Sequence, residues 1–344
     1  RRQRQMCIRD RLQGAFPLLP IQQWFFTQGF AKPHHWNQAF TVQLPEGVSS
    51  EQLAEAIAVL VERHDMLRCR FEQIQADEQG TWQQVYSDIP TAGNLIVCDV
   101  GSFSPETLQQ QLTEYQSDFD IQRGPLWKAV HLIGYEDHAS KVLFALHHLI
   151  IDAVSWRILA DDLQLLLAAQ ELPPKTSSYR QWVQAIGNYA QSAANEIAYW
   201  QSVTADIAAN HQISEKVEKQ TYLLSFPEEL TRALLQEANQ GYQTDINDLL
   251  LASLSVALAE VLEQEVNHIT LEGHGRENID PTIDVSQTIG WFTSMYPVRL
   301  VRAQTTEQTI IQTKEMLRRI PQKGLGYSVL AHAGLDDPCF AREI

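Results

Sequence analysis

Residues 141–157 read KVLFALHHLIIDAVSWR: an apolar run from Lys141 to Leu146, two adjacent histidines, a short apolar stretch, an aspartate, and an amphipathic segment from near Arg157. A continuous apolar run followed by a period of 3.6 residues predicts a buried strand that turns into a helix. Strand-to-helix succession restricts the chain to layered α/β or α+β architectures. It also puts His147, His148 and Asp152 at the turn, where a substrate can meet a base.

Histidine titrates near neutrality and so exchanges protons at working pH. Neighbours on a strand point to opposite faces, so one of His147 and His148 faces the core and the other a cleft. Spacing does not say which. Asp152 reads as a brace for the turn, accepting backbone hydrogen bonds or pairing with an arginine. The bland alternative is a satisfied core histidine, which the pairing with a turn aspartate disfavours. Adjacent strand residues converge poorly on one ion, and the chain lacks HExxH and CxxC, so a metal site is not expected.

The 344 residues exceed one ordinary hydrophobic core and suggest two domains. A formal net charge of −16 argues against a nucleic-acid partner, which needs a basic surface. Cys7, Cys69, Cys98 and Cys339 follow no ligand spacing and fit a reducing cytoplasm. The longest apolar stretches fall short of the ~20 residues that span a bilayer. The basic segment RRQRQMCIRDR has no secretory apolar region, and residues 1–13 are set aside as non-native or disordered.

Residues 14–175 form the expected first lobe. Phe40–Leu44 alternates like a strand, and Ser49 with Gln52 makes a capping box ahead of a helix striped by Leu53, Ile57, Leu60 and Val61. Arg63, Arg68 and Arg70 at the end of that helix are candidate partners for Asp152, or else a solvated basic helix end. Trp82–Tyr86 and Leu95–Val100 read as strands and Pro105–Tyr115 as a helix. Leu126–Ile133 and Lys141–Leu149 are apolar runs broken by a hairpin-like GYED. Glu171–Ser178, rich in proline and serine, is the expected linker. Residues 176–344 form the second lobe: a helical stretch Tyr179–Trp200, a strand Thr221–Phe226, a helix Glu229–Gln240 ended by Gly241, and a helix Asp245–Glu263. In the last, Ile246, Leu249, Leu250, Leu254, Ala257, Leu258 and Val261 are expected in the core.

A second constellation follows a short strand at His268–Leu271. In Glu272-Gly273-His274-Gly275-Arg276-Glu277, glycines alternate with ionisable groups, a poor recipe for a bland turn. Further on, Thr288–Pro297 gathers aromatics and small hydroxyls, Trp291, Thr293 and Tyr296 among them, as a tunnel wall or an interdomain seam does. A histidine on one lobe and a carboxylate on the other make a substrate cleft between lobes the expected site. Such a pair can exchange a proton across a carbon, or act as one base with an orienting group. The chain contains no GxSxG, GxGxxG or Walker loop.

HHLIIDAVSW resembles the HHxxxDG signature of the condensation-type domains of nonribosomal peptide synthetases, and RHDMLRCRF resembles their second core motif. PIQQWFF, HHLIIDAVSWRIL, LEGHGRE, TIGWFTSMYPV and PQKGLGY resemble, in order, the motifs of the epimerization branch. The resemblance implies two chloramphenicol-acetyltransferase-like lobes in a V with a tunnel between them. A carrier protein of a neighbouring module would insert its 4'-phosphopantetheine arm there, bearing an aminoacyl or peptidyl thioester. The thioester acidifies the α-hydrogen, so no cofactor of the domain's own is implied. Carried over by position, His148 and Glu272 are the acid/base groups; His147, Asp152, Ser155 and Trp156 support them, and His274, Arg276, Trp291, Thr293 and Tyr296 line the tunnel. The chain departs from the signature at Ala153, where glycine is usual. The resemblance also implies about a hundred further residues of second lobe, since Asp336–Ile344 does not look like a natural ending. The rival implications are a condensation domain joining two carrier-bound substrates, disfavoured by EGHGRE, and a non-catalytic carrier-docking domain.

Overall fold

The computed structural model describes residues 12–74, 80–87, 95–207, 221–332 and 339–340. Most of the N-terminal segment set aside above, and most of Asp336–Ile344, lie outside the described residues. In chain order the elements are β1 (Gly14–Phe16), α1 (Pro20–Thr27), β2 (Asn37–Gln43), α2 (Ser50–Arg63), β3 (Cys69–Gln73), β4 (Trp82–Tyr86), β5 (Leu95–Asp99), α3 (Pro105–Tyr115), β6 (Trp127–Ile133), β7 (Lys141–His147), α4 (Ala153–Leu167) and α5 (Tyr179–Ala193). Then come α6 (Ile197–Thr204), α7 (Glu228–Arg232), α8 (Ala238–Tyr242), α9 (Ile246–Leu262), β8 (Val266–Gly273), β9 (Ser294–Val301), α10 (Thr306–Arg319) and α11 (Leu325–Ala331).

The chain divides into two units. One holds the residues up to Tyr189 together with His274–Thr293; the other holds Ala190–Gly273 and the residues from Ser294 onward. The first break thus falls fourteen residues beyond the expected 175/176 boundary, after most of α5. The EGHGRE segment is itself divided: Glu272 and Gly273 close β8 in the second unit, while His274 opens a loop that folds with the first. A linker composition marks where the backbone is irregular, not where packing changes hands.

In the first unit β7 is central in a four-stranded sheet of order β2-β7-β6-β5, antiparallel except between β5 and β6. Both of its faces are covered, which is why its sequence is a continuous apolar run rather than an alternation. On one face Leu143 joins Cys98, Val100, Val130 and Leu132 beneath Leu108 and Leu112 of α3. On the other, Phe144 stacks on Phe40 of β2, and Phe40 meets Trp156 of α4 edge to face at 4.2 Å. Each fully buried Leu or Phe in this sheet contributes about 1.5–3 kcal/mol. Helix α2 starts where predicted: Ser49 accepts from Gln52 N, and Gln52 closes the capping box. A three-stranded sheet, β1-β4-β3, completes the strands of this unit.

The second unit pairs β8 and β9 antiparallel, with Glu272 opposite Met295, and packs α9 and α10 against them. Three expectations fail here. Thr221–Phe226 forms no strand: it is irregular, and Tyr222, Leu223, Leu224 and Phe226 are exposed. Residues 228–242 are helical as α7, a π turn at Ala233–Glu237 and α8, but Gly241 lies inside α8 and the left-handed residue that ends it is Gln243 at φ 51°. In α9 the predicted stripe is mostly not buried: of its residues Leu249 is inside, whereas Leu250, Leu254, Ala257 and Val261 are exposed, and Ala252 and Ala259, which the stripe did not include, are buried instead. This helix is apolar on most sides, so its periodicity could not select the covered face.

Candidate active site

The turn after β7 is built from main-chain demands. His147, the last residue of β7, is fully buried. Its Nε2 lies 2.8 Å from Pro33 O, a pure acceptor, so this nitrogen carries the proton, and Nδ1 accepts from Leu149 N. With both ring nitrogens committed and water excluded, burial pushes the imidazole down to about 4. Phe25 stands edge-on to the ring at 5.7 Å. His147 is thus the neutral histidine facing the core.

His148 opens a short 3₁₀ turn and is only half-buried. Its Nδ1 sits 2.8 Å from Ile151 O, which can only accept, so Nδ1 holds the proton and Nε2 presents the lone pair. Gln38 Nε2 lies 2.7 Å from that lone pair. The indole of Trp291, itself buried, covers the ring with centroids 4.5 Å apart. A half-buried imidazole held in one tautomer, with Nδ1 donating and Nε2 accepting, is the arrangement a general base requires.

Asp152 closes the turn. It is the N-cap of α4, which begins at Ala153 rather than near Arg157, and it accepts from Ser155 N at 2.7 Å. Ala153 itself is exposed on the first turn of the helix, where a methyl group meets no obstacle. The arginine that meets Asp152 is Arg276, and this overturns the expectation of a partner among residues 63–70. Arg63 Nε lies 3.0 Å from Asp162, Arg68 bonds Asp65 at 2.5 Å, and Arg70 bonds Glu72 at 2.6 Å. Nor are these a solvated helix end, since Arg68 is fully buried. Each of the three is paired with another acid.

Arg276 is largely buried and engaged by several acceptors. Its Nη2 reaches Asp152 Oδ1 and Oδ2 at 3.2 and 3.3 Å and Ser155 Oγ at 2.9 Å, while Nη1 donates to Val285 O and Thr288 O. Its guanidinium lies 3.7 Å from the centroid of the Phe292 ring. Phe292 N donates to Asp152 Oδ2, and Gly290 N donates to Ser155 Oγ. The 274–293 loop is therefore strapped to the turn that carries His148, and the strap sets Trp291 over the ring. Gly290, at φ +155°, is required: a Cβ there would run into the Tyr179 ring.

Trp156, half-buried on α4, donates its indole N–H to Gln38 Oε1 at 2.7 Å. His274 is exposed and 3.1 Å from Glu277; Thr293 is half-buried. In the second unit Glu272 is exposed near the end of β8, and Tyr296 is buried on β9 beside Trp200. Gln38 was missed by the sequence reading. Its signal was a polar residue on the parity of β2 that also carries Phe40 and packs toward α4. Among the described residues no group of three or more His, Cys, Asp or Glu is placed to hold a metal ion. Nor is any described helix long and apolar enough to cross a membrane.

Comparison with known proteins fits this geometry. The profile of the Condensation domain family matches residues 12–336. A linear gramicidin synthase of Brevibacillus parabrevis is 38% identical over 345 residues, which is 94% of this chain and 7% of that protein. The N-(5-amino-5-carboxypentanoyl)-L-cysteinyl-D-valine synthase of Amycolatopsis lactamdurans is 37% identical over 325 residues, 93% of this chain and 9% of that protein. The chain thus spans less than a tenth of these relatives. Among solved structures, the epimerization domain from the third module of tyrocidine synthetase B matches with a TM-score of 0.82 at 31% identity, covering 97% of this chain and 78% of that one. The condensation domain of Monacolin K polyketide synthase matches with a TM-score of 0.75 at 16% identity, over 93% and 76%, a likeness of fold. A family match across nearly the whole chain, with relatives above 35% identity along it, makes this protein a member of the condensation-domain family of nonribosomal peptide synthetases.

Proposed function

We infer that the chain epimerizes the Cα of an aminoacyl or peptidyl thioester delivered on the 4'-phosphopantetheine arm of a carrier protein. The observation that carries this reading is the orientation of His148: Nδ1–H given to Ile151 O and Nε2 as the accepting nitrogen, beside the Gln38 amide, on a half-buried ring. The likeness to an epimerization domain at 31% identity favours this branch over the condensation-domain structures, which match at 15–16%. The EGHGRE sequence favours it too.

In this reading His148 and Glu272 are the two acid/base groups. One takes the α-proton, the C–H electron pair passes into the thioester as an enolate, and the other returns a proton to the opposite face. No electrons are gained or lost, and the two groups exchange roles with the direction of reaction.

The test is deuterium uptake by a carrier protein loaded with an aminoacyl thioester, incubated with the chain in heavy water and followed by mass and chiral analysis. Uptake with loss of stereochemical purity and no second substrate is expected. In His148→Ala uptake is abolished while carrier binding persists. Product that forms only with a second acceptor substrate would replace this reading with condensation; binding without either reaction would replace it with docking.

A further inference from the structure

The proton order around His148 is set from two independent ends. At one end Ile151 O, an acceptor only, requires the proton on Nδ1. At the other, Trp156 Nε1–H has only a proton to give, so Gln38 must turn its oxygen toward Trp156. The Gln38 amide nitrogen then faces His148 Nε2 at 2.7 Å, and because an amide N–H only donates, Nε2 must carry the lone pair. The two assignments agree. The geometry comes from the pleat: Gln38 and Phe40 share the face of β2 that packs on α4, and the same Trp156 meets both.

We propose that Gln38 is a positioning residue for the base. It locks His148 in the Nδ1–H tautomer, disfavours protonation at Nε2, and rests on the Nε2 lone pair until substrate displaces the amide. The catalytic consequence rests on the reading of His148 as the base; the tautomer lock does not. A protonated Nε2 would confront the Gln38 NH₂ donor to donor, which disfavours the imidazolium. Trp291 opposes this, since a ring face favours a cation. Of the charged groups around the turn, Asp152 and Arg276 are paired with each other, and His147 is neutral at pH 7. The amide of Gln38 therefore biases the base from the β2 side.

The experiment uses the full chain labelled with ¹⁵N-histidine, the His148 signals being identified by their loss in His148→Ala. The wild type is expected to show a protonated Nδ1 and an accepting Nε2 at pH 7. In Gln38→Glu the carboxylate accepts from both Trp156 and Nε2–H, so the imidazolium is favoured and the His148 titration midpoint rises by about 1 pH unit or more. The acid limb of α-proton exchange rises with it, and the rate measured below that limb falls about tenfold. Gln38→Met, which removes the donor without adding charge, raises the midpoint by a smaller step and serves if Gln38→Glu does not fold. An unchanged midpoint and unchanged ¹⁵N shifts in both variants would overturn the proposal. If the wild type exchanges no α-proton at all, the epimerase reading falls, yet the ¹⁵N measurement, which needs no substrate, still decides the role of Gln38.

Discussion

Replacing Arg276 by Met tests whether the 274–293 loop is held by one buried ion pair. The side chain of Arg276 is 7% exposed and that of Asp152 6%, so both charges are largely desolvated. Removing one partner of such a pair costs about 3–5 kcal/mol, because the other charge stays behind. Asp152 would keep three donors, Ser155 N, Ser155 Oγ and Phe292 N, which pulls the cost toward the lower end. Val285 O and Thr288 O would each lose a donor, about 1 kcal/mol apiece, which pulls it back up. A loss near 4 kcal/mol is a large share of the 5–15 kcal/mol that typically holds a domain together. Urea unfolding followed by tryptophan fluorescence reads it, since every tryptophan but Trp200 lies in the first unit. A double-mutant cycle with Asp152→Asn is expected to give a coupling of about 2 kcal/mol. A loss below 1 kcal/mol with no coupling, as for an exposed pair, would refute the strap.

Acid should weaken the fold through His147. A proton that binds at about 6.5 in the unfolded chain and at about 4 in the folded one makes the unfolded state the better proton binder in between, so stability rises with pH from about 4 to 6.5. The full effect is about 3 kcal/mol, and His64, lowered in the same direction by burial, adds to it; urea midpoints across this range in wild type and His147→Gln should differ in slope, the variant being flatter. Gly290→Ala should cost about 1–3 kcal/mol by thermal unfolding, because its methyl group meets the Tyr179 ring. Trp200→Ala should cost about 3–5 kcal/mol in the second unit, where the indole is fully buried against Tyr199, Tyr296 and Tyr327. Circular dichroism melts of that variant check it, and an unchanged melt would mean that the cluster is not a core.

The elements around the candidate site were legible because their signals are local. The apolar run of β7, the hairpin to β6 and the Ser49–Gln52 capping box each arise within a few residues, and all three are present. The histidines were legible as chemistry, but only packing separated them: His147 lost its basicity to burial, while His148 kept a lone pair on a half-buried ring. In the second unit, α9 shows the limit of periodicity. An apolar stripe wider than the covered face does not say which part of it is buried.

By itself the sequence determined the strand-turn-helix that carries His148 and Asp152, since hydrophobic period and turn chemistry act over short spans. Tertiary structure decided the partners. Asp152 meets an arginine 124 residues away, although Arg63, Arg68 and Arg70 lie nearer in sequence, because Asp162, Asp65 and Glu72 take those. Gln38 meets His148 across 110 residues because β2 pairs with β7 in a register that no local pattern contains. A side chain's type fixes what it can donate or accept, and only chain closure fixes who stands opposite.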